Sequence, residues 1–263
     1  MKIKRTHTLS IAIATFNEEN FIGILLDQIH TWADEIIVVD GTSSDKTPEI
    51  IKKYSNVKLI TTTNKPIFHL NKQMAIDACS KDWILQLDAD EIPSQELKHE
   101  IDQLLSQKQI EKQGYWLKRA NYFLGRFLKK GGQYPDPTLR LYQRGLGHLP
   151  CKSVHEQAVV QGQTGFLNND LLHYADRSFT RYLTRHNRYT TLISQDIKNP
   201  SFLNYFFIKP IFWFLSTYFR HKGFQDGFPG FVFSYFSALR FPIAYVKYWE
   251  HQTTKQDQNH DWQ

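Results

Sequence analysis

Trp83-Ile84-Leu85-Gln86-Leu87 runs directly into Asp88-Ala89-Asp90-Glu91. A short apolar run followed by three carboxylates in four positions reads as a buried strand that ends at the rim of a sheet. Carboxylates this close repel one another unless a cation or hydrogen-bond donors lie between them. A divalent metal carrying a diphosphate-bearing ligand would satisfy both Asp88 and Asp90. A solvated loop leading through Pro93 and Ser94 into a helix is the plainer alternative.

The flanking sequence repeats the same design. Leu9 to Thr15 is short, apolar and β-branched and reads as a strand. An amphipathic helix is expected from Asn17 to Trp32, with Phe21, Ile24, Leu25 and Ile29 near one face and Gln28 breaking the pattern. Glu35 to Val39 reads as a second strand ending at Asp40, followed by the turn Gly41 to Asp45 and a helix from Lys46 to Tyr54 with Pro48 near its first turn. A strand at Val57 to Thr61 and a helix at Leu70 to Cys79 precede the stretch quoted above. Strands alternating with helices predict an α/β fold with a doubly wound, mostly parallel sheet. Such sheets hold ligands beyond the carboxyl ends of their strands. Thr15-Phe16-Asn17, Asp40 and Asp88/Asp90 all fall at those ends.

Beyond a helix at Ser94 to Leu105 the pattern changes. Strands are expected at Gly114 to Phe123 and Pro137 to Tyr142, joined by the Gly/Pro-rich stretch Gly131 to Pro137, and a helix at Phe179 to Ile197. Of the chain's 38 Trp, Tyr and Phe residues, 19 crowd between Phe202 and Trp249, which marks a different kind of element. The expected division is residues 1–198 as the α/β domain, 199–250 as an aromatic-rich helical appendage and 251–263 as a polar tail. A net charge of +6 and a pI near 9.1 favour phosphate-bearing ligands or an anionic membrane surface. No zinc-finger, basic-zipper or RNA-binding signature is present, so no nucleic-acid partner is expected. Cys79 and Cys151, the two cysteines, have no metal-site spacing and point to a reducing compartment. Leu9 to Ala14 is too short for the core of a signal peptide.

Taken in order, Ala14-Thr15-Phe16-Asn17-Glu18-Glu19, Val38-Val39-Asp40-Gly41-Thr42-Ser43-Ser44-Asp45-Lys46-Thr47, Leu87-Asp88-Ala89-Asp90-Glu91, Gly131-Gly132-Gln133-Tyr134-Pro135-Asp136 with Leu139-Arg140-Leu141-Tyr142, and Ser153-Val154-His155-Glu156-Gln157 resemble glycosyltransferase family two. The set is similar to the branch containing lipopolysaccharide-core β-glucosyltransferases, over roughly residues 8 to 195. The resemblance implies the Rossmann-like GT-A fold and an inverting hexosyltransferase using Mg²⁺ or Mn²⁺. It implies that Ala14, Thr15 and Phe16 cradle a nucleotide base, with Glu18 near the ribose or base and Asp40 accepting from a base N–H. Asp88 is implied beside ribose and metal, and Asp90 on the metal. Glu156 is implied as the base that deprotonates the acceptor hydroxyl, with His155 assisting at metal or diphosphate. Ordinary readings stand beside these: a buried aromatic for Phe16, first-turn capping for Glu18, turn formation for Asp40, a strand-end pair for His155 and Glu156. Arg140 is expected either to steady a diphosphate or to form a structural ion pair. Three departures bear on the site. Gly41 replaces a second acid, Asn71-Lys72 stands where Arg-Asn is common, placing Lys72 on the nucleotide-sugar side, and His-Glu replaces Glu-Asp.

The resemblance suggests UDP-glucose as donor and lipopolysaccharide core, another surface glycan or a polyprenyl-phosphate as acceptor. A nucleotidyltransferase is the rival enzyme, but it calls for a Gly/Lys-rich phosphate loop where Phe16-Asn17-Glu18-Glu19 stands. A non-catalytic sugar-nucleotide-binding membrane protein is the rival from another class. The uncharged stretches at Pro210 to Phe219 and Gly227 to Leu239 fall short of the ~20 residues of a membrane span. Basic residues interleaved with aromatic ones there suit helices lying at a bilayer interface, which predicts a cytoplasmic protein peripherally attached to the inner face of the plasma membrane. A packed helical subdomain or dimer face is the alternative.

Overall fold

A computed structural model describes residues 3–65, 67–152 and 156–257, with side chains to residue 253. His155 therefore lies outside the described residues, as do Ser153, Val154 and the end of the polar tail. In chain order the elements are β1 (Leu9–Thr15), α1 (Ile22–Ile29), β2 (Glu35–Asp40), α2 (Thr47–Ile51), β3 (Val57–Thr61), α3 (His69–Asp77), β4 (Trp83–Asp88), β5 (Glu91–Pro93) and α4 (Gln95–Leu105). There follow β6 (Gly114–Phe123), β7 (Arg126–Phe127), β8 (Asp136–Gln143), β9 (Gly147–His148), β10 (Val159–Val160) and β11 (Thr164–Asp176). The helices α5 (Phe179–Asp196), α6 (Lys209–Leu215), α7 (Gly227–Ala238) and α8 (Arg240–Asp257) complete the chain, with π-helical turns at Asn204–Ile208 and Ser216–Arg220 on either side of α6.

The main sheet runs β3-β2-β1-β4-β8-β6-β11-β5, with β7 paired to β6. Strands β3, β2, β1 and β4 are parallel, as the alternating pattern predicts. From β8 onward the sheet turns antiparallel: β8 pairs with β4 and β6, and β11 pairs with β5. Burial follows. Ile11, Ile13, Ile36, Val38, Leu85 and Leu87 are excluded from water on one face, with α1 and α4 supplying Ile22, Leu25, Leu26, Ile29, Leu97, Ile101 and Leu105. Ala12, Ile37, Val39 and Ile84 are buried on the other face with Ala75 and Ile76 of α3. Each such Val, Leu or Ile side chain contributes on the order of 1.5–3 kcal/mol.

Local chemistry sets the element ends. Ser94 caps α4 by accepting the Leu97 N–H at 3.1 Å, and Ser178 caps α5 by accepting that of Arg181 at 3.1 Å. Helix α1 begins five residues later than its apolar pattern suggests, because Asn17 takes a left-handed φ of 55°. Two carboxylates hold strand starts together: Asp82 accepts from the Thr8 N–H and hydroxyl at 2.9 and 2.8 Å, and Glu35 accepts from the Ser80 N–H at 2.7 Å and the Ser10 hydroxyl at 2.5 Å.

The chain forms two compact units, one running through Arg119 with Asp136–His173, the other combining Ala120–Pro135 with the chain from Tyr174 onward. In the second unit Phe123, Leu128, Tyr182 and Val232 form a small core of their own.

Candidate active site

The parallel strands of the first unit converge on a polar rim. At its β1–β2 side, the Gly41 N–H donates to the Thr15 carbonyl at 2.9 Å. A Cβ at Gly41 would lie 3.2 Å from the Asn64 backbone and 3.4 Å from Asn71 Nδ2, so glycine lets the end of β2 pack closely against these two residues. Thr15 Oγ1 and Asn71 Oδ1 are both buried without a hydrogen-bond partner. Buried polar atoms are seldom left so, and two of them around one glycine mark a place for a polar ligand. Phe16 is 43% exposed beside them.

The two loops on this rim are laced to one another. Asn17 Oδ1 accepts the Ser44 N–H at 2.8 Å, and the Asn17 N–H donates to Ser43 Oγ at 2.8 Å. The Glu18 N–H donates to Thr47 Oγ1 at 2.9 Å. Asp40 is buried and accepts from the Ser43 N–H at 2.9 Å and the Ser43 hydroxyl at 2.5 Å, so its carboxylate shapes the turn that carries Ser43.

The acidic tip after β4 is divided by environment. Asp88 pairs with Lys72 Nζ, and Arg140 Nη2 donates to it at 2.8 Å. Arg140 Nη1 donates to Gln86, and Arg140 Nη2 also reaches Glu91 Oε1 at 2.9 Å. Glu91 is fully buried, accepts the Asp88 N–H at 2.9 Å and lies 3.5 Å from Arg119 Nη1. Arg119 in turn donates to Asp136 at 2.6 and 2.9 Å. Burial opposes ionisation of Asp88, but Arg140 and then Lys72 outweigh it and hold the carboxyl well below the usual range. Burial likewise opposes the charge on Arg140, and Asp88 and Glu91 reverse this, so it stays a cation. Burial pulls the Lys72 ammonium below its ordinary range, with Asp88 working against that pull. Three acids and three cations thus balance in one cluster.

Asp90 lies beside a further member of this ensemble. Its carboxylate is 16% exposed and lies 3.7 Å from His173 Nε2, a residue that β11 brings beside Glu91 through the His173–Glu91 register pair. Among the described residues no three His, Cys, Asp or Glu side chains converge as a metal cage. Glu156 is half-buried and accepts the Lys152 N–H with both oxygens, at 2.8 and 3.0 Å. Its neighbour Gln157 accepts from the Thr138 hydroxyl and the Leu139 N–H at 3.1 and 3.3 Å, which ties this segment to β8 just before Arg140.

Of the residues singled out in the sequence, Asp88, Lys72 and Arg140 therefore meet in one cluster, and Asp40, Thr15 and Phe16 line the neighbouring strand ends. Glu91, Arg119 and His173 belong to the same charged ensemble and were not singled out. Glu91 was quoted in its motif, but Arg119 and His173 sit on β6 and β11, where no local pattern marks them.

A buried acid–base cluster and an acidic tip at the carboxyl ends of parallel strands define a ligand site of the α/β type. The family model for glycosyl transferase family 2 matches residues 10–159, the stretch that builds this rim. The lipopolysaccharide core biosynthesis glycosyltransferase LpsC of Rhizobium meliloti is 29% identical over 96% of either chain. An uncharacterized glycosyltransferase of Rickettsia typhi is 30% identical over 88% of this chain and 83% of its own length. Among solved structures, residues 1–349 of S. aureus TarS are similar with a TM-score of 0.48 at 15% identity, covering 97% of this chain and 93% of that one. The chain belongs to glycosyltransferase family 2. It is a glycosyltransferase with the GT-A fold, and the nucleotidyltransferase and non-catalytic readings give way to that membership.

Proposed function

We propose that this enzyme transfers a hexose, with glucose the leading candidate, from a nucleotide sugar to a hydroxyl of lipopolysaccharide core or a related surface glycan, with inversion at the anomeric carbon. The observation that carries the reading is the acidic tip at the end of β4: Asp88 faces Lys72 and Arg140, and Asp90 lies two residues on, beside His173. The similarity to LpsC supports the acceptor class. Two unpaired cysteines support a reducing, cytoplasmic setting.

In this reading Thr15 and Asn71 receive the nucleoside, with Phe16 against the base and Glu18 and Asp40 fixing the loops around it. Lys72 and Arg140 hold Asp88 ionised and aimed, so that it can accept from the ribose. The donor set suits Mg²⁺ or Mn²⁺, which bind through one or two carboxylates and take their remaining ligands from phosphate and water. We assign that carboxylate to Asp90, since both oxygens of Asp88 already face cations. The ion, when bound, offsets charge that builds on the leaving diphosphate. Glu156 takes the proton from the acceptor hydroxyl as its oxygen attacks the anomeric carbon.

Replacing Glu156 by Gln tests the assignment of the base. The variant should keep donor affinity and lose at least about 100-fold in transfer rate, the usual size of a general-base effect. Full transfer activity in Glu156→Gln would assign proton removal to another group.

A further inference from the structure

The second unit exposes far more apolar surface than a self-contained module needs. Leu203, Phe207, Ile211, Leu215 and Phe219 are 63, 51, 57, 47 and 56% exposed. They recur at every fourth residue along the continuous helical stretch through Asn204–Ile208, α6 and Ser216–Arg220. In a pure α-helix such a row drifts around the axis by ~40° per step, at 3.6 residues per turn. The two π-helical turns, bonded i to i+5, are wider and counter that drift. The consequence is one straight apolar stripe, flanked by Ile208 at 62% and Phe212 at 66% exposure.

The opposite side of the same helix packs against α7 and the start of α8. Trp213 Nε1 donates to Ser237 Oγ of α7 at 3.1 Å, the Arg240 guanidinium lies 3.7 Å from the Trp213 ring centre, and Thr217 is buried. The stripe is therefore an outer face, not an unpacked core. It continues through ring contacts from Phe219 to Phe214 and Tyr218, and from these to Phe231 and Phe224.

A basic rim is built at one end of this face. Asp226 is 2% exposed, and its carboxylate accepts the Lys129 N–H at 3.0 Å and the Lys130 N–H at 2.7 Å, with Arg126 Nη2 at 3.5 Å. The Gly131 N–H donates to the His221 carbonyl at 2.9 Å. These bonds dock the loop carrying Arg126, Lys129 and Lys130 against Arg220-His221-Lys222, and the side chains of both groups are exposed. Asp226 is also the only acid between Ile197 and Trp249, so that stretch shows no negative charge on its surface.

We infer that this stripe and its rim form a docking surface for a bilayer carrying anionic lipid headgroups. Contiguous apolar patches beyond a few hundred Å² mark an interaction site, and basic groups beside apolar ones fit the headgroup boundary. Near-surface Lys and Arg each add to the attraction toward anionic lipid. Charge complementarity selects this occupant: a second copy would bring an equally basic rim against this one. No described helix is long and apolar enough to cross a membrane, and Lys209 within the stretch with Arg220 at its end keep it lying on the surface.

The test is flotation of the full chain with vesicles of phosphatidylcholine alone and of phosphatidylcholine with 30 mol% phosphatidylglycerol. The wild type should float at least about tenfold more with the anionic vesicles and be released by high salt. Ile211→Ser with Phe212→Ser should abolish flotation, and Lys130→Glu with Arg220→Glu should cut it several-fold. All these side chains are exposed, so unfolding curves should match the wild type and show that the variants fold. Two outcomes would overturn the inference. One is no binding to anionic vesicles, or binding that the Ile211/Phe212 pair does not reduce. The other is a dimer in sedimentation velocity that the same pair dissociates while vesicles are ignored, which gives the face to a second copy.

Discussion

Arg140 is the residue on which the site's electrostatics turn. It is 7% exposed and satisfies Gln86, Asp88 and Glu91 together. Removing one partner of a buried ion pair costs about 3–5 kcal/mol, because the remaining charge stays buried and uncompensated. Arg140→Met should lose that much in urea unfolding, and adding Glu91→Gln should recover part of it. A loss under about 1 kcal/mol would mean that water or another cation already compensates Asp88 and Glu91. At this scale the sequence revealed the acids but not their partners. Asp88 and Asp90 are conspicuous because they end an apolar run. Arg119 and His173 are not, because what matters about them is spatial: Arg119 lies 28 positions from Glu91 along the chain but 3.5 Å from it in space.

Among the elements, the parallel half was legible, and of the antiparallel half β6 and β8 were but β11 was not. Strands β1, β2 and β4 are buried on both faces, and burial on both faces writes continuous apolar runs. β11 is the longest strand at 13 residues, yet its run is interrupted by Asn168-Asn169-Asp170 and has no clean alternation. Those asparagines are held by Glu100 of α4, which accepts from both their backbone N–H groups at 2.8 to 3.0 Å. The strand starts carry a pH signature. Burial raises the Glu35 carboxyl, but hydrogen bonds from Ser10 and Ser80 more than offset it and leave it below its usual 4.5. The Thr8 backbone and side-chain bonds lower Asp82 below its usual 3.8. Carboxylates depressed in the folded state contribute stability that is full above their unfolded values and is lost as pH falls through their folded ones. The melting temperature should therefore hold between pH 7 and about 5 and fall below about 4. The Glu35→Gln/Asp82→Asn variant should start lower at pH 7 and fall less steeply in acid. Parallel curves for the two proteins would remove these carboxylates from the acid response.

For the molecule as a whole, residues 120–135 join the chain beyond Tyr174 in one unit. That association depends on bonds such as those of Lys129 and Lys130 to Asp226, some 96 positions away, which no local pattern encodes. Family membership was legible because the motifs at strand ends keep their order. The acidic tip reads as a ligand site from sequence, while the partners of its acids, Lys72 and Arg140 at Asp88 and His173 at Asp90, emerge only in three dimensions. The central claim is that this tip receives an activated sugar through a cation at Asp90. The most direct measurement is calorimetric titration of UDP-glucose, and of a panel of other UDP- and GDP-hexoses, into the wild type and Asp90→Ala, each with Mn²⁺ and with EDTA. The account predicts that one donor binds the wild type saturably with Mn²⁺, and that either EDTA or the substitution weakens it at least about tenfold, a loss near 1.4 kcal/mol. Equal affinity under all four conditions, or no binding by any donor, would contradict it.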